Sequence, residues 1–277
     1  MIRLLATDLD GTFWGPDLMP PPAHVAAVQH LQRRGVTVLA ATSRRPRVVA
    51  AHLAAVGLRL PAVLLDGAVG IDLNTGQRFH RSVFGRSDAL DTLAVFRAHG
   101  IEPCLYLEEG GRFGAAVDVV VSAAPSTSPG HLASLGAAVA TGDLTATAAT
   151  AAIHAMSVLG VRRSMLEPLA TELDRGAHAS VMLYPERSFG QFGLIASPRG
   201  TSKWSGVSAW CAAHGIAPHE VAAVGDGRND VEMLCRAGVR IGVRGGNPEV
   251  LALAQHVVDP PEHSGWCQIV DLVDAVP

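Results

Sequence analysis

The chain has 277 residues, of which 48% are hydrophobic and only 5% aromatic, with 22 Lys+Arg against 25 Asp+Glu for a formal charge of −3. That supplies a core for one elaborated domain or two modest ones, filled mainly by Ala, Val and Leu. The balanced charge argues against a polyanion-binding surface, so no nucleic-acid partner is expected.

The apolar run at residues 2–6 is too short for a signal peptide and leads into Asp8. No uninterrupted apolar stretch of about 18 residues exists, so no membrane partner is expected. Cys104, Cys211, Cys235 and Cys267 are scattered, without a CxxC pair. They fit reduced thiols better than a disulfide frame or a zinc site, and the expected location is the cytoplasm.

In chain order, residues 2–7 read as a buried strand closed by Asp-Leu-Asp-Gly. Pro20, Pro21 and Pro22 then open an apolar-periodic helix that Gly35 stops. Residues 36–41 are a second strand, ending at Thr42-Ser43-Arg44. Pro46 opens a helix that ends at Gly57, and residues 61–65 are a third strand, ending at Asp66-Gly67. This alternation implies parallel pairing with right-handed crossovers. It returns late in the chain: a helix over 203–214, strands at 221–224 and 240–243, a helix opened by Asn247-Pro248, and a short strand at 256–258.

The middle differs. Residues 87–99 read as a helix capped by Ser87 and stopped by Gly100, and 101–107 with 112–121 as a hairpin. Residues 122–150, rich in Ala, Thr, Ser, Gly and Pro, give no clear pattern. A strand is expected at 153–158, a helix at 163–173 and a strand pair at 179–184 and 191–195. The expected architecture is therefore a Rossmann-like α/β core, residues 1–82 plus 191–277, interrupted by an α+β insert at 83–190.

In open parallel sheets, ligands sit at the carboxyl ends of the strands. Four polar groups fall at such ends: Asp8 to Thr12, Thr42 to Arg44, Asp66-Gly67, and Gly225 to Asp230. Lys203 starts the helix before the last of these strands. Several carboxylates at one crest repel unless a cation sits among them, and hard oxygen ligands favour Mg²⁺. A lysine and a hydroxyl beside such an ion suit a phosphoryl group. An aspartate can serve as nucleophile and form an acyl phosphate, while a second carboxyl two residues on relays the proton. Gly11 permits the sharp turn that brings Asp8 and Asp10 to one rim.

These motifs resemble those of the haloacid dehalogenase superfamily, in particular its Cof-type, class IIB phosphatases. Asp8-Leu9-Asp10-Gly11-Thr12 matches the first motif, Thr42 the second, Lys203 the third, and Gly225-Asp226-Gly227-Arg228-Asn229-Asp230 with Met233 the fourth. The resemblance implies a Mg²⁺-dependent phosphatase acting on a small phosphorylated metabolite. Asp8 would be nucleophile and metal ligand, and Asp10 the acid/base with its carbonyl on the metal. Thr42 and Lys203 would hold the phosphoryl oxygens, together with Gly11, Ser43 and Arg44. Asp226 would bind the metal, Asp230 would support it directly or through water, and Asn229 would place Lys203 or the phosphate. The short gap from Asp10 to Thr42 and the long one from Thr42 to Lys203 imply a C2-type cap in the insert. Ser43 stands where the branch usually has glycine, and Asp66 where it commonly has asparagine.

Each motif alone is weak. Asp10-Gly11 is usually a turn, and an EF-hand would need Gly and Glu where this chain has Phe13 and Met19. Gly225-x-Gly227 is not a dinucleotide fingerprint, because Asp230 holds the third glycine position. Arg44 and Arg45 divide evenly between substrate contact and surface. Glu108, Glu109, Arg112, Tyr184, Glu186 and Arg187 read as ordinary exposed residues of the insert. The rival readings are a phosphotransferase or mutase using the same aspartyl phosphate, a receiver-like signalling module, and a non-catalytic phosphate-binding protein. Neither the substrate nor the oligomeric state can be read from the residues.

Overall fold

The computed structural model describes residues 1–108, 117–176, 178–186 and 188–274. The chain divides into two units, Met1–Arg81 with Ser202–Pro277, and Ser82–Thr201.

The first part of unit one contains β1 (Leu4–Thr7), α1 (Pro22–Arg33), β2 (Thr37–Ala41), α2 (Pro46–Ala55), β3 (Pro61–Leu64), β4 (Val69–Asp72) and β5 (Arg78–Arg81). Proline occupies the start of both helices, where its missing N–H has no helical partner to lose. Unit two, the insert, contains α3 (Arg86–Ala98), β6 (Cys104–Leu107), β7 (Val119–Val121), α4 (Pro129–Leu135), β8 (Val139–Thr141), α5 (Leu144–Thr150), β9 (Ile153–Val161), α6 (Arg163–Gly176), β10 (Ala179–Pro185) and β11 (Phe192–Pro198). Unit one resumes with α7 (Lys203–His214), β12 (Val221–Gly225), α8 (Val231–Arg236), β13 (Val239–Val243), α9 (Pro248–Leu253), β14 (His256–Val258) and α10 (Gln268–Asp274).

The sheet of unit one has the order β14-β13-β12-β1-β2-β3-β4-β5. Every pairing from β14 to β3 is parallel, as expected for the α/β core. β1 and β12 are buried along their whole length, which is why they read as continuous apolar runs. Leu4, Ala6, Leu39, Val63, Val207 and Val221 belong to the core they form. β4 and β5, which the sequence pattern did not reveal, extend the sheet in antiparallel fashion.

In unit two the order is β10-β11-β9-β6-β7-β8, antiparallel except for β7 with β8. α3 and α6 pack Leu93, Phe96, Leu166 and Leu169 against Leu105, Met156 and Leu194 of this sheet. The α+β reading of the insert holds, with three corrections. The second unit runs through Thr201, so the core does not resume at residue 191: β11 pairs with β10 and β9 and belongs to the insert. The N-cap of α3 is Gly85, not Ser87. Residues 122–150 hold α4, β8 and α5, which are seven, three and seven residues long, too short to display an amphipathic period, and α5 is built almost wholly of Ala and Thr. The hairpin pairing of β6 with β7 is present, while its expected turn lies outside the described residues. Among the described residues no helix is long and apolar enough to cross a membrane.

Candidate active site

β12, β1, β2 and β3 are consecutive in the sheet, and each ends in a polar residue of the expected set. Asp226 follows β12, Asp8 follows β1, Thr42 follows β2, and Asp66 lies in the turn after β3. The chain leaves β1 for β2 on one side and returns to β12 on the other, so the carboxyl end of β1 is the switch point of the sheet. Gly11 adopts φ 81°, making the turn expected of it, but its N–H donates to the Trp14 carbonyl and is not presented to a ligand.

Lys203 reaches this point from the first turn of α7. Ser202 caps that helix by accepting the Ser205 N–H, and Ser205 reciprocates. The loop after β3 lies against it: Gly67 has φ 112°, and a Cβ there would stand 1.9 Å from the Ser202 carbonyl oxygen. Lys203 Nζ donates to Asp8 Oδ1 and to Asp230 Oδ1, both at 2.6 Å, and its side chain is 1% exposed. The other Asp230 oxygen accepts the backbone N–H groups of Asp226 and Gly227, at 3.0 and 2.8 Å. Asp226 Oδ1 accepts the Thr12 hydroxyl at 3.2 Å.

Burial works against the charge on Lys203, yet Asp230, Asp8 and Asp66 outweigh it and hold the ammonium protonated far above its usual range. Burial pushes the Asp8 carboxyl well above the usual carboxylate range. Lys203 opposes that shift, while Asp230, Asp226 and Asp10 reinforce it. Asp230 is raised by burial in the same way. Ligand atoms of Asp8, Asp226 and Asp230 lie within 4.8 Å of one another, and all three residues are buried. Three carboxylates against one ammonium leave an excess of negative charge out of water, and the donors are hard oxygens. This set fits a divalent cation. Asp230, with both oxygens already engaged, supports the arrangement from behind.

The remaining expected residues form two further groups. The Thr42 hydroxyl accepts the Arg44 N–H at 3.2 Å, leaving its own proton for another acceptor. Ser43 Oγ donates to Asp66 Oδ1 at 3.1 Å, and Asn229 Nδ2 donates to both Ser43 Oγ (3.0 Å) and Asp66 Oδ1 (2.9 Å). A carboxylate only accepts, so this triangle fixes the orientation of the Asn229 amide. Asn229 thus holds Ser43 and Asp66, where placement of Lys203 or the phosphate was expected. Asp66 occupies the left-handed region, φ 56° and ψ 29°, a conformation that Asp and Asn tolerate better than most residues.

Arg44, expected at the phosphate, grips Asp10 instead: Nε lies 2.9 and 2.8 Å from its two carboxylate oxygens, and Nη2 lies 2.7 Å from Oδ1. Arg45 is 9% exposed and so is not a surface residue. Of the insert candidates, Tyr184 lies in β10, Glu186 follows it and accepts the Ser188 N–H, and Glu108 follows β6. Glu109, Arg112 and Arg187 lie outside the described residues.

Two tryptophans escaped the sequence reading. Trp14 Nε1 donates to Asp10 Oδ1 at 3.2 Å. Trp266 Nε1 donates to Thr7 Oγ1 at 3.0 Å, and that hydroxyl donates to the Asp8 carbonyl at 2.7 Å. Both side chains are buried, and a buried indole N–H needs a partner. That need was the available signal; the partner's identity was not.

The sheet order and the carboxylates at its switch point define an α/β protein with a ligand crevice at the carboxyl ends of its central strands. The model of the haloacid dehalogenase-like hydrolases matches residues 5–120 and 166–269, and the chain belongs to that family. No curated protein matched the sequence. Among solved structures, a haloacid dehalogenase-like hydrolase from B. subtilis is 17% identical with a TM-score of 0.81, each chain covered completely. One from Bacteroides thetaiotaomicron is 19% identical with a TM-score of 0.78, covering 99% of this chain and 100% of that one. A subclass IIB sugar phosphatase is 17% identical with a TM-score of 0.76, covering 98% and 99%. At these identities the likeness is one of fold.

Proposed function

We propose that this hydrolase is a Mg²⁺-dependent phosphatase of small phosphorylated metabolites, such as sugar phosphates, and works through an acyl phosphate on Asp8. The observation that carries the reading is the buried Asp8 carboxylate, held at 2.6 Å by Lys203 and close to Asp226 and Asp230.

Asp8 attacks phosphorus, and the bond to the leaving oxygen breaks as Asp10 gives that oxygen a proton. Asp10 then takes a proton from water, which attacks the acyl phosphate and restores Asp8. Lys203 and the Thr42 hydroxyl stabilise charge on the phosphoryl oxygens, while Asp230 fixes the ammonium from the opposite side. Mg²⁺, held by Asp8, Asp226 and the Asp10 carbonyl, would supply further neutralisation of the phosphoryl group. The similarity in fold to a subclass IIB sugar phosphatase supports this substrate class.

Asp8→Asn should lower Mg²⁺-dependent turnover of p-nitrophenyl phosphate by about 10³-fold or more, because removing a nucleophile disables the whole constellation. Acid quenching of the wild-type reaction, followed by peptide mass spectrometry, should place the phosphoryl group on Asp8. Activity retained in pure Asp8→Asn protein, or a phosphoryl group found on Asp66, would overturn the mechanism. Transfer to an added sugar hydroxyl in place of water would make the enzyme a phosphotransferase.

A further inference from the structure

We infer that Trp14 is a positioning residue for Asp10, its indole N–H fixing the carboxyl group that protonates the leaving oxygen. The inference rests on the acid/base reading of Asp10 given above.

Trp14 is completely buried, four residues beyond Asp10. Its backbone is pinned: its N–H donates to the Leu9 carbonyl and its own carbonyl accepts the Gly11 N–H, both at 2.9 Å. The ring packs beside Phe13 and His52, with centroids 6.3 and 6.1 Å away. The donor therefore has a fixed place in the core. The Asp10 side chain is 32% exposed, so the surrounding packing alone does not set its rotation. Among the donors that hold it are two unlike ones, the Trp14 N–H on Oδ1 and the Arg44 fork on both oxygens. A guanidinium pairs with a carboxylate, whereas a neutral indole N–H can hold one carboxyl oxygen whether or not the other carries a proton. Trp14 is thus a donor able to stay in place through the transfer. In that step an Asp8 oxygen bonds to phosphorus and the P–O bond to the leaving group breaks. The freed electron pair takes the Asp10 proton, leaving an alcohol and an Asp10 carboxylate. A misplaced acid slows this step in proportion to how much the leaving group needs the proton.

The test compares kcat/KM for phenyl phosphate and p-nitrophenyl phosphate in wild type, Trp14→Phe and Asp10→Asn, at saturating Mg²⁺. This ratio reports steps up to release of the phenol, so the later water attack does not enter it. p-Nitrophenolate leaves readily without a proton, and the two substrates are close in shape. Trp14→Phe should lose about tenfold more with phenyl phosphate than with p-nitrophenyl phosphate, and Asp10→Asn should widen the same gap further. Equal losses on both substrates in Trp14→Phe, or none, would overturn the inference while leaving the acid role of Asp10 standing, provided Asp10→Asn shows the gap. Equal losses in Asp10→Asn would instead remove the reading on which it rests. Should Trp14→Phe fail to fold, β-(3-benzothienyl)alanine at position 14 keeps the bicyclic volume and deletes only the donor, and the same ratios decide.

Discussion

Lys203 stands between two buried carboxylates, and its removal leaves both without their shared counter-charge. Lys203→Met should therefore cost about 3–5 kcal/mol of folding stability, besides most of the activity, because a broken buried pair leaves uncompensated charge. Chemical denaturation without added metal measures the first effect and phosphate release the second. A different residue contributes to an alkaline loss of stability. Burial raises the Cys211 thiol from 9.0 to about 11. A raised acid pKa means the folded state resists losing that proton. The corresponding stability is fully present below pH 9 and is lost as pH rises toward 11. Comparing the pH dependence of urea unfolding in wild type and Cys211→Ala should show a shallower alkaline decline in the variant.

At the level of elements, the site depends on how closely the turn after β3 approaches the start of α7. Gly67 permits this twice over, by its φ of 112° and by having no Cβ to meet the Ser202 carbonyl. Gly67→Ala should cost about 2–4 kcal/mol from strain and overlap together. It should also weaken catalysis, since Ser202 caps the helix that carries Lys203. Urea unfolding and steady-state kinetics on the same preparation test both parts. The motif-bearing elements were legible because apolar runs ending in Asp, Thr or Gly-Asp mark buried strands and their exits. β4 and β5 were not: each is four residues long, and β5, at the sheet edge, is Arg-Phe-His-Arg with a single apolar residue, although Asn74-Thr75-Gly76 marks the turn between them.

For the whole molecule, folding brings Asp8 and Lys203 together across 195 positions of sequence and gathers three carboxylates in one buried place. Their mutual repulsion opposes folding, and a bound divalent cation would relieve it. Mg²⁺ at about 100 times its Kd should therefore add about 2.7 kcal/mol of stability by mass action. A thermal melt should show an upward shift with Mg²⁺ that chelator abolishes and that Asp226→Asn largely lacks. A shift of equal size in Asp226→Asn would place the ion elsewhere.

The α/β core, the existence of an α+β insert and the residues at four strand ends were legible in the chain alone, because hydrophobic period and turn chemistry are local properties. That β11 belongs to the insert, that Arg44 and Trp14 hold Asp10, and that Asn229 joins Ser43 and Asp66 emerged with the folded arrangement. Those outcomes depend on which donors and acceptors folding places within about 3 Å of each other, a distance that no spacing along the chain encodes.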